Sequence, residues 1–310
     1  MTIREARAKA AASLSPLGSG QLDADVLLKW ILGVDQTHLL FYADTQLTER
    51  QEAQLSDAVV SRSAGLELCY ITGHKEFYAL DFALSRAVLP PKPDTELLVD
   101  NTIDLVQKRI MSLPQGEQVV LCDVCCGTGC VGLSVLHTLC QRMGCVPPVE
   151  LVLVDVMEEA IAVARDNARR LLDSAMLRRV TFIQSDLFES LPQAMRFDVI
   201  AANPPYIPFD EANALLADGR GEPLVALCGD DRRGEKITPG DGLDITRRLV
   251  QSSVVRLKSG GALVLETGED QVTEVHKMMR TAGFAGVEVT RDLASKPRNV
   301  KGWLWKKQMK

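Results

Sequence analysis

Apolar segments alternate with helical segments from about residue 94 onward, and this alternation constrains the fold more than any other feature. The predicted strands lack a polar side and lie at Val119–Val124, Glu150–Val156, Val180–Ser185, Phe197–Ala202 and Gly261–Glu266. Helices are expected between them, at Val131–Leu139, Glu158–Leu172 and about Leu243–Leu257. Such strands are typical of a parallel sheet covered by helices on both faces. The sequence therefore predicts an α/β fold, in which ligands bind at the carboxyl ends of the strands.

The first eighty or so residues predict helices alone. Two capping-box pairs, Thr2 with Glu5 and Thr48 with Gln51, mark helix starts. A short hairpin is expected at 77–82, before a proline-rich joint. We therefore expect a helical domain at residues 1–73, a hairpin and linker at 74–93, and the α/β domain at 94–310.

Charge and hydropathy exclude several classes of protein. The formal net charge of −6 argues against a broad nucleic-acid-binding surface, which is normally basic. No segment approaches the roughly 18 apolar residues of a membrane helix, and the first twelve residues lack the apolar core of a secretory signal. We expect a cytoplasmic protein that contacts neither a membrane nor, directly, a nucleic acid, and nothing demands more than a monomer.

Four of the eight cysteines crowd into nine residues, at Cys122, Cys125, Cys126 and Cys130. A zinc site usually needs two separated pairs, or histidines downstream of the cysteines. This cluster instead spans a predicted strand, a turn and a helix start, so its side chains should diverge. Metal binding and reduced structural thiols are the two interpretations, and we expect no metal.

A glycine-rich turn follows the first strand, in Asp123-Val-Cys-Cys-Gly-Thr-Gly129. Its glycines let the backbone turn sharply before a helix N-terminus. Gly127, Gly129 and Gly132 also match the dinucleotide-binding pattern, which is weak alone, and a plain tight turn is the alternative. With Asp123 four residues before its first glycine, the segment resembles the first motif of class I methyltransferases, whose loop wraps the methionine end of the cofactor.

Acidic residues end the next two strands. Asp155 suits the two ribose hydroxyls of an adenosine without a ribose phosphate, as in NAD and S-adenosylmethionine, or it merely caps the following helix. Asp186, followed by Leu187, suits an adenine amino group, or it is an ordinary turn aspartate.

Asn203-Pro204-Pro205-Tyr206 directly follows the fourth strand and supplies the predicted catalytic residues. The two prolines stiffen the backbone and remove donors, so the carbonyls of Asn203 and Pro204 become acceptors with a fixed direction. The Asn203 side chain adds a further polar contact, and Tyr206 adds a flat face. A planar nitrogen is a poor nucleophile. Two acceptors on its N–H hydrogens would stabilise the positive charge that develops on methylation and would aim the nitrogen at the methyl donor. The motif therefore predicts N-methylation without a strong base or a metal.

These motifs together resemble the HemK/PrmC-type glutamine N5-methyltransferases, which methylate the Gly-Gly-Gln glutamine of peptide-chain release factors, the proteins of translation termination. The resemblance covers almost the whole chain and includes Tyr70-Ile-Thr-Gly73, Lys92-Pro-Asp-Thr-Glu96, Glu222-Pro223 and Asp241-Gly-Leu-Asp244. It implies a class I, Rossmann-like methyltransferase domain with a mostly parallel seven-stranded sheet. It also implies S-adenosylmethionine as cofactor and a release factor as protein partner, gripped with help from the N-terminal helices.

The resemblance also implies roles for single residues. The cofactor would be bound by Asp123, Cys125, Gly127, Thr128, Gly129, Asp155, Asp186, Leu187 and Asn203. Asn203 and Tyr206 would hold the substrate glutamine. Pro93, Thr95 and Glu96 would lie near the active-site mouth, or they form only a rigid linker and a helix cap.

The chain departs from the family pattern at four places. Lys92 replaces the usual arginine, Cys125 replaces a frequent glycine, residues 228–240 form an extra polar run, and Asp292–Arg298 differs near the C-terminus. These changes bear on the substrate more than on the chemistry. The alternatives are an N-methyltransferase for another protein or a small molecule, an adenine-N6 nucleic-acid methyltransferase, a nicotinamide-dependent oxidoreductase and a non-catalytic cofactor-binding module.

Overall fold

The computed structural model describes residues 1–114, 116–230 and 240–305, so residues 231–239 of the predicted insertion lie outside the described residues. The chain divides into a helical unit, Met1–His74 with Ala214–Gly221, and an α/β unit, Lys75–Asn213 with the chain from Glu222 onward. The sequence-based boundaries had left 214–221 inside the α/β domain. That segment joins the helical unit locally, where the amide of Glu67 donates to the Arg220 carbonyl at 3.3 Å.

The helical unit is built from short helices around its own apolar core. Its elements are α1 (Ile3–Leu14), a 3-10 turn (Ser15–Leu17), α2 (Gly20–Leu32), α3 (Gln36–Phe41), α4 (Glu49–Ser63) and α5 (Leu68–Thr72). Both predicted capping boxes are confirmed, at the starts of α1 and α4. Leu14, Leu27 and Leu28 are fully buried in this core.

The α/β unit begins with a hairpin and then alternates strands with helices. Its first elements are β1 (His74–Phe77), β2 (Leu80–Ala83), a 3-10 turn (Pro93–Thr95), α6 (Glu96–Ser112), β3 (Val119–Val124), α7 (Cys130–Met143), β4 (Val149–Asp155), α8 (Glu158–Leu171), α9 (Ser174–Leu177) and β5 (Val180–Gln184). The later elements are β6 (Phe197–Ala202), α10 (Phe209–Leu216), α11 (Leu224–Leu227), α12 (Asp244–Arg256), β7 (Leu257–Glu266), α13 (Val272–Thr281), β8 (Ala285–Arg291) and β9 (Pro297–Leu304).

Among the described residues, seven strands form one sheet in the order β5-β4-β3-β6-β7-β9-β8. The first five in this order pair in parallel, and β9 pairs antiparallel with both β7 and β8. The predicted mostly parallel α/β sheet is therefore confirmed. The chain leaves β3 toward β4 on one side and later returns to β6 on the other, so the strand order reverses at β3.

The predicted strands match the observed ones closely where both faces are buried. The ranges predicted for β3 and β6 are those observed. By contrast, β7 begins at Leu257, where the sequence still favoured a helix, and the sequence singled out no segments for β8 and β9. Most residues of β8 are exposed, so that strand lacks the apolar run that marks a buried one.

A single buried carboxylate ties several elements of the α/β unit together. Asp198 in β6 has no exposed side-chain surface and accepts from Arg109 Nε of α6 at 2.8 Å and from Lys258 Nζ of β7 at 2.6 Å. It also accepts from the Val120 amide of β3 at 2.9 Å. A buried charge is stable only when it is paired in this way.

We expect Asp198→Ala to lower the free energy of unfolding by about 3 kcal/mol or more, because it leaves two cations and one amide without their partner. Urea unfolding of the whole protein measures this change. Glu274→Ala removes an exposed pair with Lys277 and should cost less than about 1 kcal/mol. Equal losses in the two variants would contradict the role given to Asp198.

Candidate functional site

A cavity of about 290 Å³ opens where the sheet order reverses, at the carboxyl ends of β3, β4 and β6. Ligands bind at this position in open α/β sheets. The predicted site residues that line it are Thr95, Asp123, Cys125, Gly127, Thr128, Asp155, Asp186, Leu187, Asn203 and Pro205. The lining does not include Pro93, Glu96, Gly129, Pro204 or Tyr206. The structure thus brings most of the predicted cofactor residues together with Asn203.

Asp123 holds the turn after β3 against the start of α7. Its carboxylate is buried, and Oδ2 accepts from the Gly132 amide at 2.9 Å. Burial raises the pKa of Asp123 to about 7, against the hydrogen bond from Gly132, which lowers it. A Cβ on Gly132 would come within 2.9 Å of both Leu151 and Leu153, so this glycine lets α7 pack closely on the sheet.

The turn itself adopts left-handed backbone angles. Gly127 and Gly129 have φ of +52° and +76°, and Cys125 has φ of +60°. A left-handed conformation costs a residue with a side chain about 1–2 kcal/mol. The turn adopts this conformation although Cys125 carries a side chain. Cys125 also lines the cavity.

Asp155 lies at the end of β4 and contacts two backbone amides. Oδ2 accepts from Gly127 at 2.9 Å, and Oδ1 accepts from Met157 at 3.0 Å. Burial raises the pKa of Asp155, while the amide hydrogen bonds lower it. Asp155 therefore supports the start of α8 and also lines the cavity. It can accept hydrogen bonds from a ligand as well, because each carboxylate oxygen can accept more than one hydrogen bond.

Asp186 forms an ion pair that the sequence did not indicate. Its Oδ2 accepts from Arg248 Nη2 at 2.7 Å, and Arg248 also binds Glu189 at 3.0 Å. Both Asp186 and Arg248 line the cavity beside Leu187, which has a left-handed φ of +49°. Arg248 of α12 thus fixes the Asp186 carboxylate, whose Oδ1 can accept a hydrogen bond from a ligand.

Asn203 follows β6 and is bound by the predicted joint segment. Asn203 Nδ2 donates to Thr95 Oγ1 at 3.2 Å, and Thr95 is almost fully buried. Glu96, the residue after Thr95, instead accepts from the Tyr78 amide of the hairpin at 3.1 Å. Of the three joint residues predicted near the site, only Thr95 lines the cavity; Pro93 is exposed at the start of the 3-10 turn.

Tyr206 lies beside the cavity rather than in its wall. Burial raises the pKa of its phenol, with a further rise from Glu266 and Asp94 and an opposing effect of Arg298. Its carbonyl accepts from Gln271 Nε2 at 2.8 Å. The phenol therefore stays protonated at neutral pH and is not a base.

The backbone after Tyr206 is clamped by a buried carboxylate. Asp230 Oδ2 accepts from the amides of Phe209 and Gly240, at 2.8 and 2.9 Å, and Oδ1 accepts from Gly242 at 2.7 Å. Gly242 has φ of +75°, and a Cβ there would lie 2.2 Å from the Tyr206 carbonyl. The Asp241–Asp244 segment thus packs directly on the Asn-Pro-Pro-Tyr loop.

Lys92, which stands where arginine was expected, forms an ion pair at the same cavity. Its Nζ lies 2.6 Å from Oε1 of the buried Glu222. Lysine therefore provides the positive charge that Glu222 requires, although it lacks the bidentate geometry of arginine.

The clustered cysteines are free thiols in the structure. Burial raises the pKa of Cys130 to about 12 and the pKa values of Cys122, Cys125 and Cys126 well above their usual range. Such thiols are poor nucleophiles and poor metal ligands. Within residues 1–114, 116–230 and 240–305, no three His, Cys, Asp or Glu side chains are arranged to hold a metal ion.

Comparison with known proteins assigns the family. A model described as the PrmC N-terminal domain matches residues 5–73, and one described as a methyltransferase domain matches residues 115–283. The chain is 34% identical over 301 residues to the release factor glutamine methyltransferase of Moorella thermoacetica, covering 96% of this chain and 97% of that protein. The chain belongs to the release factor glutamine methyltransferase family. The family member from Haemophilus influenzae is 31% identical over 313 residues, covering 99% of this chain and 100% of its own.

A solved structure shares the fold. The hMettl16 catalytic domain in complex with MAT2A 3'UTR hairpin 6 aligns with a TM-score of 0.52 at 14% identity, covering 82% of this chain and 84% of that one. This likeness shows the fold alone, and the Rossmann-like methyltransferase domain predicted from sequence is confirmed. In the part of the chain that the structure describes, no helix has the length and apolarity to cross a membrane.

Four residues that the sequence did not single out for the site of this methyltransferase support it in the structure: Asp230, Arg248, Glu266 and Gln271. Only Glu266 had a usable signal, since it ends a buried strand, as Asp155 does. The other three lie in loops or on a helix and have no such local signal. Their roles follow from tertiary contacts.

We expect Gly242→Ala to lower the rate of methyl transfer about 100-fold, because the new Cβ displaces the Tyr206 carbonyl and a shift of about 1 Å has this effect on catalysis. Gly144→Ala is the matched control. Gly144 shares a left-handed φ, +66°, but its Cβ would meet no atom within 4 Å. Backbone strain should lower the thermal stability of both variants, whereas displacement of the Tyr206 carbonyl should lower the steady-state rate of Gly242→Ala alone. Equal rates in the two variants would contradict the contact between residue 242 and the Tyr206 carbonyl.

Proposed function

We propose that this chain transfers the methyl group of S-adenosylmethionine to the side-chain amide nitrogen of the glutamine in the Gly-Gly-Gln motif of peptide-chain release factors. The observation that carries the proposal is one shared cavity, in which Asn203 meets the glycine-rich turn and Asp155. Relatives that match this chain over nearly its full length are named release factor glutamine methyltransferase, which supports the choice of substrate.

The residues of the cavity fit S-adenosylmethionine. Asp155 retains acceptor capacity for the two ribose hydroxyls, and Asp186 for the adenine amino group. Gly127 leaves room for close approach of the methionine end, since a Cβ there would meet no atom within 4 Å. Cys125, Thr128 and Leu187 would complete the lining. When bound, the cofactor supplies an electrophilic methyl group on its sulfonium sulfur.

Asn203 and Pro204 would act on the substrate amide. The side-chain oxygen Oδ1 of Asn203 and the backbone carbonyl of Pro204 would accept from the two N–H hydrogens of the amide, which orients the nitrogen and stabilises the positive charge that develops on it as it takes up the methyl group. One of these protons is then lost to water. Tyr206 would pack its ring against the glutamine without acting as a base, because burial raises the pKa of its phenol.

The helical unit is proposed to contact the release factor. Residues 5–73 match the PrmC N-terminal domain, and helices α3 and α4 expose large apolar side chains, including Leu40, Phe41 and Val60. A contiguous patch of such side chains would be typical of a protein-binding surface. The protein is proposed to act in the cytoplasm, where release factors work.

Asn203→Ala is expected to keep its affinity for S-adenosylmethionine and to lose methyl transfer by about 10²–10³-fold, the usual effect of removing one positioned polar contact in a transition state. Calorimetry measures the affinity, and a methyl-transfer assay measures the rate. A variant with the wild-type rate would remove Asn203 from the mechanism.

Asp155→Ala should weaken S-adenosylmethionine binding about 10–100-fold, because hydrogen bonds to a charged group contribute about 1.5–3 kcal/mol each. Asp166→Ala, an exposed carboxylate on α8, is the control and should leave the affinity unchanged. Thermal unfolding without cofactor identifies any collapse of the turn. Unchanged affinity in a folded Asp155→Ala protein would exclude Asp155 from the cofactor site.

The decisive experiment mixes the purified protein, methyl-labelled S-adenosylmethionine and a release factor. A release factor with its Gly-Gly-Gln glutamine changed to asparagine is the control, and peptide mass mapping locates the label. Label on that glutamine alone supports the proposal. Cofactor binding without label on it would direct the search to another protein or a small-molecule nitrogen.

A further inference from the structure

Glu266 is a buried carboxylate at the carboxyl end of β7, beside the Asn-Pro-Pro-Tyr loop. Its side chain is almost fully buried, and among the described residues Oε2 has no hydrogen-bond partner. Asn299, its cross-strand neighbour on β9, is fully buried, and neither of its amide atoms has a partner there either. Buried polar atoms of this kind are rare and require a reason.

The Thr95 hydroxyl links Glu266 to Asn203. Thr95 Oγ1 accepts from Asn203 Nδ2 at 3.2 Å, and a hydroxyl has one hydrogen of its own to donate. Glu266 and Asn203 come directly after Leu265 and Ala202, which pair in the neighbouring parallel strands β7 and β6, and hydrogen bonding with the side chains of Thr95 and Asn203 lowers the pKa of Glu266. An ionised carboxylate only accepts, so it fixes the direction of the chain, from Asn203 Nδ2 to Thr95 and from Thr95 to Glu266.

This direction determines which end of the Asn203 amide is available to the substrate. The NH₂ group of Asn203 is engaged on the Thr95 side, which leaves Oδ1 as the group that can accept from a target N–H. The opposite orientation would present a donor to the target nitrogen and would oppose its developing charge. We propose that Glu266 is a positioning residue for methyl transfer, which holds the Asn203 oxygen toward the target nitrogen through the Thr95 hydroxyl. This inference rests on the proposed function of Asn203.

The charge of Glu266 should therefore control the rate. Burial raises the pKa of Glu266 to about 7; hydrogen bonding from Thr95 lowers it, Asp94 raises it, and Arg298 and Asn203 lower it. Burial, with a smaller contribution from the charge of Glu266, raises the pKa values of Tyr206 and Cys130, so both groups stay neutral near pH 7. A protonated Glu266 becomes a donor to Thr95 and no longer fixes the direction of the chain. Activity should thus rise with pH through about 7.

Steady-state kinetics test the inference in the whole protein. Neither the glutamine amide nor the sulfonium titrates near neutral pH, so an inflection in kcat reports on the enzyme. We expect the wild-type kcat to fall about tenfold per pH unit below 7. Glu266→Gln should have a lower plateau and should lose most of the inflection, and any remainder belongs to Asp123, whose pKa burial also raises to about 7. Glu269→Gln, at an exposed carboxylate three residues on, should keep the full inflection. An inflection that persists unchanged in Glu266→Gln would overturn the inference.

Substitutions of Thr95 separate positioning from packing. Thr95→Val keeps the shape but removes the hydroxyl, and we expect kcat to fall about 10–100-fold with unchanged KM for the release factor. Thr95→Ser restores the hydroxyl and should recover most of the rate. A Thr95→Ser variant as slow as Thr95→Val would contradict the hydrogen-bond chain.

A measurement independent of activity distinguishes this inference from the proposed function. The side-chain amide signal of Asn203 in a ¹H–¹⁵N spectrum is identified by its loss in Asn203→Ala. It should shift with pH with a midpoint near 7, and Glu266→Gln or Thr95→Val should abolish that shift. If the wild type binds S-adenosylmethionine but methylates no release factor, the proposed function fails. The titration of the Asn203 amide signal still tests the hydrogen-bond chain from Asn203 through Thr95 to Glu266. A signal that is independent of pH would overturn the inference.

Discussion

Parallel pairing of β3 with β4 on one side and with β6 on the other is the constraint on which the site depends. Because the three strands run in the same direction, their carboxyl ends meet at one edge of the sheet. Because the chain order reverses there, the loops after β3 and β6 diverge and leave a cavity between them. The cofactor motif and the Asn-Pro-Pro-Tyr motif, about eighty residues apart in the chain, thus come to face one cavity.

Carboxylates that accept hydrogen bonds from backbone amides fix the loops at the edges of that cavity. Asp155 binds an amide of the glycine-rich turn, Asp123 binds an amide of the helix α7 that follows it, and Asp230 binds three amides around the Asn-Pro-Pro-Tyr loop. Loops that carry functional groups lack the regular backbone hydrogen bonds of helices and strands. The carboxylates supply partners for the amides of these loops instead. The acceptors needed for amide methylation would thereby be in place before the substrate binds, which is the condition for electrostatic catalysis.

The departures of this chain from its family are accommodated locally. Lys92 still pairs with the buried Glu222, and Cys125 adopts the left-handed angles that a glycine would take there. The ends of the polar run at 228–240 are joined by Asp230, whose carboxylate binds the amides of Gly240 and Gly242. Asn203, Asp155 and Asp186 are unaffected by these changes, although Lys92 and Cys125 themselves line the cavity. They bear on the rim of the site, where specificity for a protein substrate would be expressed.

The sequence by itself determined the α/β class, the limits of the buried strands β3 and β6 and the two motifs at their ends, because apolar periodicity and turn chemistry are local properties of the chain. It also indicated Thr95, but it did not separate Thr95 from Pro93 and Glu96, which do not line the cavity. Only the tertiary structure decided that Thr95 binds Asn203, that Arg248 pairs with Asp186 and that Glu266 is buried beside both Thr95 and Asn203. These contacts join residues from about sixty to about 170 positions apart, and their burial and pKa depend on how the strands and helices pack together, which no local pattern records.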